Sequence, residues 1–194
     1  MIYTKAIQRA IKFAAKTHNQ YQQQTRKGKV IPYISHPLTV GIILTLAQAS
    51  EDVVVAGILH DTIEDSIEEK KVTMEMLAER FGENVAQLVL GVTEQNKKLP
   101  WEVRKKEALD HIEHFSHEAL LVKSADIISN TSELIDDYAR YKDETFERFG
   151  APKEKIIDNQ LKVIDAIINR WSENPLVDDL TNLINDLQKI NHDH

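Results

Sequence analysis

The segment from His60 to Asp65 holds four ionisable side chains directly after the most apolar stretch of the chain, Val53 to Leu59. A histidine and a glutamate four residues apart share one helix face, and the two aspartates lie beside them. Burying such groups without partners is costly, and a divalent cation is the simplest partner for imidazole and carboxylate groups together. The segment therefore favours a metal site, although a core histidine beside solvated helix-end carboxylates would give the same pattern.

Two further residues of metal-ligand type lie elsewhere in the chain. His36 precedes a proline at the start of a predicted helix. Asp126 lies in the largely apolar stretch from Leu120 to Ile128, where an aspartate is costly unless it binds something. Both residues strengthen the metal interpretation of the segment from His60 to Asp65.

The elements that must position these residues are predicted to be helices, because apolar residues recur with helical period along almost the whole chain. We expect Ser35 to cap the helix that starts near Pro37, since proline is favoured in the first turn. The polar segment 19–35 breaks the pattern and is predicted as a long loop. No repeat and no strand pair with a convincing turn occurs, so the fold class is predicted to be all-α. The predicted helices span about 4–18, 37–47, 51–59, 73–81, 85–92, 101–115, 118–138, 154–171 and 177–190.

Composition and charge narrow the function classes. The 194-residue chain has 24 basic and 31 acidic residues, a net charge of −7, so it has no overall attraction to nucleic acid or an anionic membrane. It has no cysteine, which excludes disulfides, thiolate metal sites and cysteine nucleophiles. The longest apolar run is far below the ~20 residues that span a bilayer, and the first residues lack the apolar region of a signal peptide. We therefore expect a cytoplasmic protein with a small-molecule partner, and neither nucleic acid nor membrane as a partner.

The order of the candidate ligands resembles the HD superfamily of metal-dependent phosphohydrolases. More closely, it resembles the hydrolase domain of RelA/SpoT-type guanosine tetraphosphate enzymes and their stand-alone small alarmone hydrolase relatives. The resemblance covers roughly residues 4–150, and we expect a single HD-domain helical bundle over residues 1–194, with the helices of 154–190 packed onto it. The matching stretches are Phe13-Ala14-Ala15, His18, Arg26-Lys27, Pro32 to Pro37, Ala56 to Asp65, Phe81-Gly82, Gly91-Val92-Thr93, Val122 to Asp126, and Asn130.

The resemblance implies a single divalent metal held by two imidazoles and two carboxylates, those of His36, His60, Asp61 and Asp126. This donor set suits a transition metal better than Mg²⁺, which prefers oxygen. The enzymes that the sequence resembles usually hold Mn²⁺. The resemblance also implies that Glu64 and Asp65 are catalytic, because they would orient or deprotonate a water whose pKa the cation lowers.

The same resemblance implies a binding site for a phosphorylated nucleotide. Arg26 and Lys27 would neutralise phosphates, as would Lys97 or Lys98, and Asn130 would bond the ribose or a phosphate. The chain departs from the family near the nucleotide, because it has no basic residue directly after Asp126 and no arginine two residues after Asn130. It instead carries Ile127, Thr131 and Ser132 there, and it has an insertion, Tyr21 to Gln24, after His18.

The function that these observations imply is hydrolysis of guanosine 3′,5′-bis(diphosphate), the alarmone of the stringent response, with release of pyrophosphate from the 3′ position. One alternative is an HD phosphohydrolase for another nucleotide, such as a 2′- or 3′-phosphorylated dinucleotide or a nucleoside monophosphate. Another is a non-catalytic HD binding module, which would have no need of four ligands together with the Glu64-Asp65 pair.

Overall fold

Helices form almost all of the regular structure in the computed structural model, which describes residues 3–94 and 99–193. Among these residues there is no β-strand, and one isolated antiparallel bridge joins Thr25 to Pro32. The predicted all-α fold is confirmed. The α-helices are α1 (Lys5–Ala15), α2 (Ser35–Leu46), α3 (Glu51–Leu59), α4 (Thr62–Asp65), α5 (Met74–Phe81), α6 (Glu83–Val92), α7 (Trp101–Ile112), α8 (His117–Tyr141), α9 (Lys153–Arg170) and α10 (Val177–His192).

Side-chain caps explain where several helices begin. Ser50, Thr73 and Ser116 accept hydrogen bonds from backbone N–H groups in the first turns of α3, α5 and α8, as N-cap residues do. Ser35 was predicted to cap α2, and that prediction is wrong. Ser35 is the first helical residue and Ile34 occupies the N-cap, since the Ser35 hydroxyl donates to the carbonyl of Pro32 at 2.9 Å instead.

Helix α3 lies at the centre of the first apolar core. Every residue from Val53 to Leu59 is buried, as expected for a helix that is apolar on all sides. It packs against α1, α2, α6 and α8. Glycine lets α2 and α3 approach closely, because a Cβ at Gly57 would lie 2.2 Å from Leu44 Cδ1. The end of α3, which carries His60 and Asp61, is therefore held in the middle of the bundle.

Helix α8 connects this core to a second one. Leu120 and Ile127 lie in a cluster with apolar residues of α9 and α10, whereas Val122 and Ala125 belong to the core around α3. Both α9 and α10 contact α8. The assignment of residues 1–194 to one domain stays a prediction.

A π-helix, Lys16–Tyr21, follows α1 where the sequence predicts the end of an α-helix and a loop. Helix α1 therefore ends at Ala15, three residues earlier than predicted. The backbone then turns at Gln23, whose φ of 49° lies in the left-handed region. The N–H of Gln24 donates back to the carbonyl of His18 at 2.8 Å, which closes the turn.

Within the described residues, none of the helices has both the length and the apolar character that crossing a membrane requires.

Candidate metal centre and active-site cavity

Three parts of the fold bring the predicted metal ligands together. His36 lies in the first turn of α2, His60 and Asp61 join α3 to α4, and Asp126 lies on α8. Because α3 packs against both α2 and α8, these parts meet at one place. Ligand atoms of His36, His60 and Asp126 all lie within 4.8 Å of one another, and both imidazoles are buried.

The two imidazoles face each other through their Nε2 atoms, which are 3.2 Å apart. Asp126 Oδ1 lies 3.3 Å from His36 Nε2 and 3.8 Å from His60 Nε2. Asp61 Oδ2 lies 3.0 Å from His60 Nε2 and 3.6 Å from His36 Nε2. The structure thus brings all four predicted ligand residues around the same pair of nitrogens.

The outer nitrogens of the two imidazoles have their own partners. His60 Nδ1 donates to the carbonyl of Gly57 at 2.7 Å, and His36 Nδ1 lies 2.9 Å from the hydroxyl of Ser129. Such contacts fix ring orientation and leave Nε2 for a metal. A set of two imidazole nitrogens and two carboxylates fits a divalent transition metal.

The pKa values of the candidate ligands also favour a bound cation. Burial lowers the pKa of His60, but Asp61 and Asp126 outweigh it and raise that pKa to about 9. Burial would raise the pKa of Asp61, yet His60 holds it far below its ordinary value. Lys123 likewise holds the pKa of Asp126 far below its ordinary value against burial. The carboxylates therefore favour positive charge at the imidazole nitrogens, which a bound cation would supply.

Sequence reasoning missed the residues that support these ligands. The Tyr33 hydroxyl donates to Asp61 Oδ2 at 2.6 Å, and the Lys123 ammonium donates to Asp126 Oδ2 at 2.8 Å. Ser129 supports His36 as described above. Two features of the sequence could have identified these residues. Tyr33 and Lys123 lie inside stretches that match the family, and Ser129 lies one helical turn after Asp126.

The predicted catalytic residues Glu64 and Asp65 line a cavity that the candidate metal ligands also line. Glu64 Oε2 accepts a hydrogen bond from the backbone N–H of Glu94 at 3.1 Å. Asp65, which is buried, accepts at Oδ2 from the Gln24 amide at 2.8 Å. Both carboxylates are thus held in place by segments outside α4.

Two of the predicted substrate-binding residues, Arg26 and Asn130, are hydrogen-bonded to each other, and Asn130 is also hydrogen-bonded to Asp126. Arg26 donates from Nη2 to Asn130 Oδ1 at 2.7 Å, and Asn130 Nδ2 donates to Asp126 Oδ1 at 2.6 Å. Arg26 Nε also donates to Glu133 Oε2 at 2.8 Å, so this guanidinium already has a carboxylate partner. The ammonium of Lys27 lies 5.5 Å from the centre of the Phe149 ring. Lys97, like Lys98, lies outside the described residues.

This cavity has a volume of about 670 Å³ and extends from the candidate metal ligands toward α7 and α9. Pockets of this size hold nucleotide-sized ligands. Its wall includes Arg26, Lys27 and Asn130, and Arg104 and Lys105 of α7. Of the positions that depart from the family, Ile127 lines the cavity, Thr131 is fully buried and Ser132 is exposed.

Comparison with known proteins gives matches over most of the chain. Residues 10–149 match the HD domain family. A Danio rerio protein named guanosine-3′,5′-bis(diphosphate) 3′-pyrophosphohydrolase MESH1 is 38% identical over 133 residues, which cover 68% of this chain and 70% of the relative. The Homo sapiens protein of the same name is 39% identical over 127 residues, covering 64% and 67%.

Solved structures agree on the architecture. A metazoan ortholog of SpoT superimposes with a TM-score of 0.71 at 24% identity, covering 99% of this chain and 97% of that one, which shows the fold alone. A Listeria monocytogenes protein superimposes with a TM-score of 0.70 at 29% identity, covering 79% and 99%. The chain belongs to the HD domain family, as its resemblance predicts, and MESH1 proteins are among its relatives.

Proposed function

We propose that this protein is a metal-dependent guanosine 3′,5′-bis(diphosphate) 3′-pyrophosphohydrolase. The observation that carries the proposal is the position of the imidazole–carboxylate cluster, which opens into a nucleotide-sized cavity with Glu64 and Asp65 in its wall. The MESH1 relatives, which bear the name of this activity, support the choice of substrate.

In this proposal His36, His60, Asp61 and Asp126 hold one divalent ion, most suitably Mn²⁺. The mixed nitrogen and oxygen donors favour a transition metal over Mg²⁺. When bound, such an ion polarises phosphate oxygens and lowers the pKa of water. Ser129 and the carbonyl of Gly57 keep the two imidazoles turned toward the ion through their Nδ1 atoms.

The remaining residues act on the water and on the phosphates. Glu64 and Asp65 orient the attacking water and accept its proton, which is the work of a general base. Arg26 and Lys27 neutralise phosphate charge, which grows on the leaving pyrophosphate. Asn130 bridges Arg26 to Asp126, and so it couples the phosphate-binding side to the metal side. Lys97 completes the proposed set of substrate cations.

The test is a hydrolysis screen of the purified, Mn²⁺-supplemented protein. The substrates are guanosine 3′,5′-bis(diphosphate), a 3′-phosphorylated dinucleotide and a nucleoside monophosphate, with pyrophosphate and phosphate assayed separately. We expect pyrophosphate from the first substrate, and we expect Asp61→Ala to lose both bound metal and turnover. Asp179→Ala on α10, an exposed aspartate, is the matched control that keeps both.

Each contrary result has a definite meaning. Phosphate release from the monophosphate, without pyrophosphate from the first substrate, would replace the substrate but leave a metal phosphohydrolase. Metal binding without turnover of any nucleotide would favour a binding module. An Asp61→Ala variant with full metal content and normal turnover would refute the ligand assignment.

A further inference from the structure

Three side chains form a continuous hydrogen-bonded chain that ends at a proposed catalytic carboxylate. His18 Nδ1 lies 2.8 Å from Gln24 Oε1, and Gln24 Nε2 lies 2.8 Å from Asp65 Oδ2. His18 is fully buried, and Asp65 is 8% exposed. The hydrogen-bonded series therefore runs from the buried His18 to the wall of the cavity, which both Gln24 and Asp65 line.

The direction of these hydrogen bonds follows from the chemistry of the groups. An ionised carboxylate only accepts, so the Gln24 amide must present its NH₂ to Asp65 and its oxygen to His18. His18 must then carry its hydrogen on Nδ1. Burial lowers the pKa of His18, although its hydrogen bond to Gln24 acts in the opposite direction. His18 Nε2 accordingly finds no hydrogen-bond partner among the described residues.

The orientation of the Gln24 amide satisfies Asp65 and His18 together. If the Gln24 amide turned over, its oxygen would face Asp65 Oδ2 and its NH₂ would face the Nδ1 hydrogen of His18. Both contacts would then be unfavourable, because an acceptor would face an acceptor and a donor would face a donor. A hydrogen on His18 Nδ1 thus supports the same orientation of Gln24 that Asp65 requires, and the Gln24 NH₂ group holds Asp65 Oδ2 in place.

The backbone holds Gln24 in place from both sides. Its N–H donates to the carbonyl of His18 at 2.8 Å, and its carbonyl accepts from the N–H of Tyr33 at 2.9 Å. The π-helix Lys16–Tyr21 and the left-handed Gln23 return the chain to His18. π-Helical turns are frequent at functional sites. The segment that departs from the family pattern is thus the one that delivers Gln24 to Asp65.

We propose that Gln24 and His18 are positioning residues, which hold the Asp65 carboxylate in one orientation for its work on the attacking water. The inference rests on the proposed function, because Asp65 has that work only if the protein is a hydrolase. Neither residue contacts the four proposed metal ligands through the hydrogen bonds described. Their loss should therefore slow turnover without releasing the metal.

The decisive variant is Gln24→Glu, which keeps the size of the side chain but puts a carboxylate oxygen against Asp65 Oδ2. We expect kcat to fall on the order of 10- to 100-fold, as for other hydrogen-bonded supports of active sites. KM should stay within about twofold, because Gln24 is proposed to act through Asp65. Gln24 also lines the cavity, so a KM that rises several-fold would show a contact with the substrate instead and overturn the positioning role. Gln20→Glu, an exposed position in the same π-helix, is the matched control for the added charge.

A rescue experiment separates positioning from mere packing. The amide nitrogen of asparagine is as far along its side chain as His18 Nδ1, so His18→Asn can still donate to Gln24. His18→Leu fills space but cannot donate. We expect His18→Asn to retain most of kcat and His18→Leu to lose it, with metal content unchanged in both. Equal loss in the two variants, or joint loss of kcat and metal, would show a structural role and overturn the proposal.

The experiments distinguish failure of the positioning role of His18 and Gln24 from failure of the proposed hydrolase function. If the wild type hydrolyses the alarmone and Gln24→Glu keeps its kcat, the positioning role fails and the proposed function stands. If the wild type hydrolyses no nucleotide, the proposed function fails, and with it the catalytic use of Asp65. The ¹⁵N resonances of the His18 ring then test the hydrogen-bonded chain itself. A hydrogen on Nδ1 is expected, and a hydrogen on Nε2 would overturn it.

Discussion

Glu64 and Asp65 are adjacent in sequence, but different neighbours hold their carboxylates. Glu64 accepts from the backbone N–H of Glu94, whereas Asp65 accepts from the side chain of Gln24. The donor to Glu64 is a backbone N–H, so an amide oxygen at position 64 could still accept from it. This makes Glu64 the cleaner residue on which to test general-base catalysis.

The predicted effect of Glu64→Gln is a loss of rate on the order of 10²-fold or more, because the amide cannot accept the proton of the attacking water. An amide oxygen can still accept from the N–H of Glu94, and we expect the metal to remain bound. The measurement is kcat alongside metal content by atomic spectroscopy. Glu69→Gln, an exposed glutamate nearby, is the control. Release of metal in step with activity would instead make Glu64 a ligand or a support of one.

At the scale of the elements, the spacing between α2 and α3 sets the distance between the two imidazoles. His36 belongs to α2 and His60 ends α3, so any change in the packing of these helices moves the nitrogens apart. The closest approach is at Gly57, where a Cβ would lie 2.2 Å from Leu44 Cδ1 and 3.1 Å from Val40 Cγ1. A methyl group at this position fits only if the Leu44 side chain or the helices themselves shift.

Gly57→Ala is accordingly expected to lower the free energy of unfolding by about 1–3 kcal/mol, the usual cost of overpacking a core. Metal affinity should fall with it, as α2 and α3 separate. Urea denaturation and metal titration measure the two effects. Gly91→Ala on α6 is the control, because a Cβ there meets nothing within 4 Å and alanine favours helix. Equal stability of the two variants would show that α2 and α3 can separate without cost.

At the scale of the whole molecule, the candidate metal centre joins parts of the chain that are far apart in sequence. Asp126 lies on α8, which borders both apolar cores, and the other three proposed ligands lie on or beside α2, α3 and α4. A cation bound there would link these helices only in the folded state. Binding to the folded state alone raises stability.

Removal of the metal by a chelator should therefore lower Tm. At a metal concentration one hundred times Kd the stabilisation is about 2.7 kcal/mol, which corresponds to about 5–10 °C for a chain of this length. Differential scanning calorimetry with and without chelator measures the shift. Asp61→Ala should show little shift, and a shift as large as that of the wild type would place the stabilising ion elsewhere.

The sequence by itself determined the fold class and the choice of candidate ligands. Helical periodicity is a local property, and it located nine of the described α-helices to within three residues at each end, although it did not predict α4 (Thr62–Asp65). The ligands could be chosen because imidazole and carboxylate groups are costly in apolar surroundings wherever the chain later folds. The family resemblance then supplied the set of four, which the tertiary structure gathers around one pair of nitrogens.

Only the tertiary structure decided which distant side chains pair. Arg26 was expected to meet phosphate, yet it also bonds Glu133, which is 107 residues away. Gln24 looked like part of a polar insertion, and its bond to Asp65 spans 41 residues. Such contacts depend on how α8 and α4 pack beside the segment after α1, which no local pattern encodes. The periodicity of apolar residues predicts which face of a helix is buried. Only the packing of the helices determines which polar groups come into contact.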